Sequence, residues 1–457
     1  MDWVVRGPFG NLMVSFDTEQ ILLPDGRARM SSEQGLSSRP SPMPKLRFGS
    51  KASGDTARAL LETLFEGLGR RERRQAIETY VVGLLLCPER RTVERIAQYL
   101  AGNGEAGNAM RQRMQRALAL ADWDESIVYA RLARHVLTGA GPGVYVIGDC
   151  AVRKRGEHSP AVARQYSGTR LENCQMATTL QLVVGAKAAC VGAQLFMPKK
   201  WAADSARRDE CQVPATVTFR ERWQLGLELL ERAASWKLGV GTVVAGSDYG
   251  RCPQFRAGVA ALGFDYVVLI PANAPLSLAP LNVTTNHSSE RLCSAAAVTS
   301  AETLALGLPA LERRCSVARE VEGSFRWARV RAHDRLAGSA ELAAQWLLSE
   351  TSGNGTTARF WLSSFPQATP LYHLLGLIDA NDFAKAGQHV MRSELGLDDF
   401  SGRSWRGFHH HLACVAAAQV CRGFASDRSG HAHSANAAVQ STEQVIAAHA
   451  NEHEALA

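Results

Sequence analysis

The chain has 457 residues, 46% hydrophobic and 21% charged, enough for two or three domains with buried cores. Its formal charge of +7 is a mild excess that suits a polyanionic partner such as DNA without requiring one. No apolar run reaches bilayer length, and ten cysteines fall without paired spacing, so neither a membrane span nor a disulfide framework is expected.

The opening "MDWVVRGPFGNLMVSF" lacks the positive start, long apolar run and small-residue cleavage site of an export signal, so a reducing cytosol with free thiols is expected. Residues 24–55 are rich in Ser, Pro, Gly and Arg and carry no apolar period; 1–55 reads as a flexible leader. From 56 to 140 apolar residues recur at three- and four-residue spacing, as in "TARALLETLFEGLGRRERRQAIETYVVGLLL", which predicts a helical domain. Arg70, Arg71, Arg73 and Arg74 are either the wet face of that bundle or part of a DNA-binding surface.

At 143 the pattern changes. "GVYVIGDC", "CQMATTLQLVVG" and "AACVGAQLFMP" read as three strands, "RERWQLGLELLERAASWK" as a helix, "VGTVVAG" as a strand, "QFRAGVAALG" as a helix and "DYVVLI" as a strand, filling 141–271. Residues 272–365 read as a largely β insertion with "SFRWARVRAHD", "QWLLSE" and "RFWLSSFP" as its strands. Helical pattern returns over 371–393 and 406–424, within a C-terminal segment of 366–426; the tail, 427–457, reads as largely disordered. This order of elements, with Asp149 ending the first strand, is that of an α/β ribonuclease-H-like mixed sheet preceded by a helical domain. A phosphate loop is not expected, because "GAGPG" at 139 precedes a strand instead of opening a helix. In "GRSWRGFHHHLA" the adjacent His409, His410 and His411 point about 100° apart on a helix, so they are read as structural or DNA-facing rather than as a metal cluster.

Several stretches resemble one family: "GDCAVRKRGEHSPAVARQYSGTRLENCQ", "QLFMPKKWAADSARR", "YGRCPQFRAGVAALGFDYVV", "FWLSSFP" and "ELGLDDFSGRSWRGFHHHLA". Together with "RRERRQAIETYVVGLLLCPERRTVERIA" they resemble the DDE transposases of bacterial insertion sequences, in the group named after insertion sequence seven-oh-one, over residues 60–425. The resemblance implies metal-dependent cleavage and strand transfer at transposon ends, in which two Asp and one Glu hold two Mg²⁺ (or Mn²⁺) ions. It implies double-stranded DNA with terminal inverted repeats as partner, a homodimer in the DNA complex, and a place in the bacterial cytoplasm at the nucleoid. Arg153, Lys154, Arg155, Arg392, Arg403 and Arg406 would contact phosphates.

The acidic triad departs from the family. Asp149 stands at the first position, followed by Cys150 where threonine is usual. At the second, Gly246 replaces the expected aspartate; Asp248, directly before Tyr249, is either a shifted metal ligand or a turn residue. At the third, Lys385 replaces the glutamate, with Asn381 at a family arginine. Asp382, three residues earlier on the same helical face, either reaches the site or is an exposed acid near a helix start. The expected catalytic acids are therefore Asp149, Asp248 and Asp382, with Asp149 and Asp248 as metal ligands and Lys385 near enough to pair with Asp149. An active transposase with a degraded triad and a non-catalytic transposase-derived DNA-binding protein both remain open.

Overall fold

A computed structural model describes residues 2–7, 10–15, 51–138, 141–279, 297–313, 323–333, 343–352 and 358–424. Asp2–Gly7 (β1) and Gly10–Ser15 (β2) pair as an antiparallel hairpin. The rest of the expected leader up to residue 50, and the expected tail from 427, lie outside the described residues.

The helical segment comprises α1 (Lys51–Phe65), α2 (Arg71–Leu86), α3 (Val93–Ala101), α4 (Glu105–Gln115) and α5 (Glu125–Leu137). Local chemistry sets several ends. The Thr92 side chain accepts from the Arg95 N–H and Asp124 from the Ser126 N–H, each satisfying an amide that a helix start leaves unpaired. Gly102, at φ 73°, closes α3 in a conformation that favours glycine. Leu61, Leu64, Phe65, Ile77, Tyr80 and Leu132 are buried between the helices, each burial contributing roughly 1.5–3 kcal/mol.

The sheet begins with β3 (Val144–Arg153), β4 (Ala163–Tyr166), β5 (Leu171–Val184) and β6 (Lys187–Leu195). Two short helices, α6 (Lys199–Ala202) and α7 (Ser205–Glu210), lead to α8 (Arg222–Ser235). There follow β7 (Thr242–Ala245), α9 (Ser247–Gly250), α10 (Pro253–Ala261) and β8 (Asp265–Ile270). Strand β3 pairs antiparallel with β5 and parallel with β7, and β7 pairs parallel with β8, so β3 is central in a mixed sheet. That is the ribonuclease-H-like arrangement expected from the order of elements.

The β-rich segment does not form a layer apart; it prolongs the same sheet. It supplies β9 (Pro275–Leu278), β10 (Thr299–Ser300), α11 (Ala301–Leu306), β11 (Leu311–Arg313), β12 (Gly323–Ala332), β13 (Gln345–Ser352) and β14 (Ala358–Ser363). Strand β14 hydrogen-bonds antiparallel to β8, giving the order β10-β9-β12-β13-β14-β8-β7-β3-β5-β4, with β11 on β12 and β6 on β5. The backbone groups of β8 that would form an open edge are thereby paired.

Helix α12 (Leu371–Ser393) lies on one face of this sheet, where Leu374, Leu375 and Ile378 pack with Val146, Val244, Leu348 and Trp361. Helix α8 packs on β5 and β6, Leu229 and Leu230 joining the core that holds Ile147 and Leu180. Helix α13 (Trp405–Phe424) covers β6 and touches α2 and α5, so it ties the helical segment to the sheet.

Candidate active site

Two acids meet where the parallel pairing of β3 with β7 ends; β3 itself runs on to Arg153 against β5, so Asp149 sits inside the strand and not, as expected, at its end. The β3–β7 ladder stops at the pair Ile147–Ala245; Asp149 lies two residues further on, while the chain leaving β7 turns at Gly246 into α9, which carries Asp248 and Tyr249. Groups brought together at the carboxyl ends of parallel strands are where α/β sheets usually place their chemistry. Asp149 also pairs across the sheet with Thr178 of β5.

The two carboxylates are bridged by one guanidinium. Arg222 Nη1 lies 2.6 Å from Asp149 Oδ2, and its Nη2 lies 3.0 Å from Asp248 Oδ2. Arg251 Nη2 reaches the other oxygen of Asp248 at 3.3 Å. The Tyr249 hydroxyl donates to Asp149 Oδ1 at 2.6 Å, and Thr178 Oγ1 donates to the same oxygen at 3.2 Å. Burial pushes the Asp149 carboxyl above its ordinary value, against the pull of Arg222 and the two hydroxyls. Burial also raises the Tyr249 phenol, which therefore remains a donor.

Sequence reasoning named Asp149 and Asp248, used Tyr249 only to locate the second acid, and passed over Arg222 and Thr178. A signal was present: Arg222 is the first residue of α8, where positive charge opposes the helix dipole. A cation kept in that position calls for a nearby anion. Thr178 gave no such sign, since a threonine in a strand is ordinary.

Helix α12 brings no carboxylate to Asp149. Lys385 is exposed, and the cation beside Asp149 is Arg222, which corrects the expected Lys385 pairing. Asp382 is held by Arg359 Nη1 at 3.2 Å, and Arg359 Nε bonds Glu350 at 2.7 Å, so this acid belongs to a cluster with β13 and β14. The α12 side chain that reaches β5 is Gln388, whose amide donates to Thr179 Oγ1 at 2.8 Å.

The six expected phosphate contacts divide. Arg153, Arg155, Arg403 and Arg406 are exposed. Arg153 pairs with Glu172 at 3.0 Å, and Arg406 with Asp122 at 3.3 Å. Lys154 turns inward, its Nζ donating to the Phe400 carbonyl at 2.6 Å, and desolvation pulls its ammonium down to about 8. Arg392 is ion-paired with Asp398 at 3.1 Å.

The three histidines are structural. His409 Nε2 accepts the Leu195 N–H at 3.3 Å on β6, and its Nδ1 faces the Trp405 carbonyl at 2.9 Å. His410 stacks on Trp123 with ring centres 3.8 Å apart and turns its nitrogens to the Leu118 and Trp123 carbonyls, both at 2.8 Å. His411 lies 2.9 Å from the Tyr80 hydroxyl and 3.3 Å from the Leu397 carbonyl, stacked on Phe400. Successive residues on a helix point in different directions, and here each direction meets a different element. Gln419 continues the pattern, accepting the Cys190 N–H at 2.9 Å on β6.

A ribonuclease-H-like sheet with one acid on its central strand, just past the parallel ladder, and a second in the turn after the neighbouring strand defines a nucleic-acid phosphoryl-transfer fold. The family model described as "DDE superfamily endonuclease" matches residues 63–302, over half of the chain. The chain belongs to that superfamily, whose substrate is DNA and whose nucleases generally use divalent metal ions. The comparison with curated proteins gives no match. A two-ion centre needs clustered carboxylates, and the residues present do not fit one. Among the described residues no group of three or more His, Cys, Asp or Glu side chains is placed to hold a metal ion. The two acids that do meet share a guanidinium between them. Among the described residues, no helix is long and apolar enough to cross a membrane.

Proposed function

We propose that this protein is a transposase-derived DNA-binding protein of the insertion-sequence group named after seven-oh-one, which holds the terminal inverted repeats of its element and cuts them poorly or not at all. The observation that carries this reading is the missing third acid: α12 presents the exposed Lys385 at the family's glutamate position, while Asp382 is engaged by Arg359. Two carboxylates cannot position a pair of divalent ions for in-line displacement.

In this reading residues 56–140 are the helical DNA-binding domain. Residues 141–271 and 366–426 form the nuclease core around the insertion 272–365, and two copies hold paired ends at the nucleoid. Exposed Arg153, Arg155, Arg403 and Arg406 supply contacts to phosphates, whose recognition is electrostatic and sequence-independent. A second reading, an active transposase, draws on Asp149 and Asp248 meeting where the β3–β7 pairing ends. In that reading Asp382 serves only if α12 slides and releases it from Arg359.

The experiment is a duplex carrying the element's ends, assayed for gel retardation and for nicking with Mg²⁺ and Mn²⁺. Salt-sensitive retardation without nicking is expected. Robust Mn²⁺-dependent nicking that Asp248→Ala or Asp382→Ala abolishes would establish the second reading.

A further inference from the structure

We propose that Arg222 is the resident cation of this acidic site, occupying between Asp149 and Asp248 the position a divalent ion would take, so that removing its guanidinium opens a cation site that the intact chain lacks. The inference goes beyond the function proposed above and requires no DNA binding.

The geometry is that of a shared counter-ion. One guanidinium gives one nitrogen to each acid, at 2.6 Å and 3.0 Å, which binds the two carboxylates to a single planar group. The remaining oxygens are also committed. Tyr249 and Thr178 donate to Asp149 Oδ1, and Arg251 takes Asp248 Oδ1. Two positive and two negative side chains sum to zero, so an incoming Mg²⁺ or Mn²⁺ meets no net attraction and must displace a charge-assisted bond to reach an oxygen. The guanidinium stays protonated at any physiological pH, so it does not leave by titration.

The position of Arg222 in the chain makes it a fixed group. It starts α8, whose N-terminus is closed by a capping box between Glu221 and Gln224. Leu229 and Leu230 anchor the same helix in the core. Without the guanidinium, Asp149 and Asp248 keep only Arg251 as a charged partner among the contacts described, and the site becomes net negative. Two carboxylates with waters completing the shell are a common way to hold one Mg²⁺ or Mn²⁺ ion.

The test uses the full chain and Mn²⁺ alone, followed by calorimetry and by electron paramagnetic resonance of the free ion. The unmodified protein is expected to show no saturable site at millimolar Mn²⁺. Arg222→Gln should gain one site at least tenfold tighter, and adding Asp248→Asn should remove it. Arg222→Lys, which restores the charge, should exclude the ion again. Thermal unfolding gives a second readout: Mn²⁺ should raise the midpoint of Arg222→Gln and leave that of the unmodified chain unchanged. A well-folded Arg222→Gln that gains no site overturns the proposal. So does an unmodified chain that binds Mn²⁺ equally well and loses it with Asp149→Asn. Should Arg222→Gln fail to fold, crystals of the unmodified chain soaked in Mn²⁺ decide it. An anomalous peak between Asp149 and Asp248 refutes the assignment, and its absence beside an ordered Arg222 supports it.

Discussion

Acidification should destabilise this protein through one buried imidazole. His411 is fully enclosed and suited to the neutral form, with Tyr80 Oη beside Nδ1 and the Leu397 carbonyl beside Nε2. Desolvation, with a smaller contribution from Lys154, lowers its pKa from 6.5 to about 3. The unfolded chain therefore takes up a proton at this residue below about pH 6.5, whereas the folded chain refuses it until about pH 3. Stability from His411 is complete above pH 6.5 and drains away as the pH falls toward 3. At pH 4.5 two of those units have been crossed, which corresponds to roughly 3 kcal/mol. The control is His411→Gln, whose amide can meet both partners but cannot titrate; loss of the Phe400 stack should cost it about 1 kcal/mol at pH 7.5. Urea unfolding of both proteins at pH 7.5, 5.5 and 4.5 makes the comparison, because the other titrating groups cancel between them. The variant should be the less stable at pH 7.5 and the more stable at 4.5. A gap between the two proteins that stays constant across that range would refute the reasoning.

Three further outcomes are expected. Gly250→Ala should lose about 3 kcal/mol by urea unfolding, because its Cβ would press into the Leu269 carbonyl of β8, a backbone group that cannot swing aside; a loss below 1 kcal/mol would mean α9 can lift off the sheet. Arg359→Met should cost about 3 kcal/mol by urea unfolding at pH 7, since it removes the partly buried guanidinium that bonds both Glu350 and Asp382; a loss below 1 kcal/mol would contradict this. On a DNA duplex, Arg153→Ala and Arg155→Ala should each reduce the slope of log affinity against log salt by about 0.9, whereas Lys154→Ala should lower the unfolding midpoint and leave the slope alone. An unchanged slope for both arginine variants would remove them from the DNA surface.

The elements themselves were legible in the sequence because their signals are local. Short apolar runs bounded by turn residues gave β3, β5, β6, β7 and β8, and the three- and four-residue period gave α8, α12 and α13 close to their observed limits. The order of those elements was enough for the ribonuclease-H-like core, and it set Asp149 on its central strand. Short pieces such as β4, β9 and β10 escaped, since they are too short for a period and, unlike β7, hold no unbroken apolar run. What the sequence could not decide is which side chains meet across long separations. Counting along α12 put Lys385 beside Asp149, but the helix turns that lysine to solvent and Asp382 toward Arg359. The cation at Asp149 comes instead from Arg222, 73 residues away, and its hydroxyl donor from Tyr249, 100 residues away. The three histidines show the same limit: their spacing argued against a shared metal, but only packing assigned one to β6, one to the segment between α4 and α5 and one to α2. Periodicity records which face of an element avoids water; the partner on that face is set by how the elements pack, and charges adjacent in space need not be near in the chain.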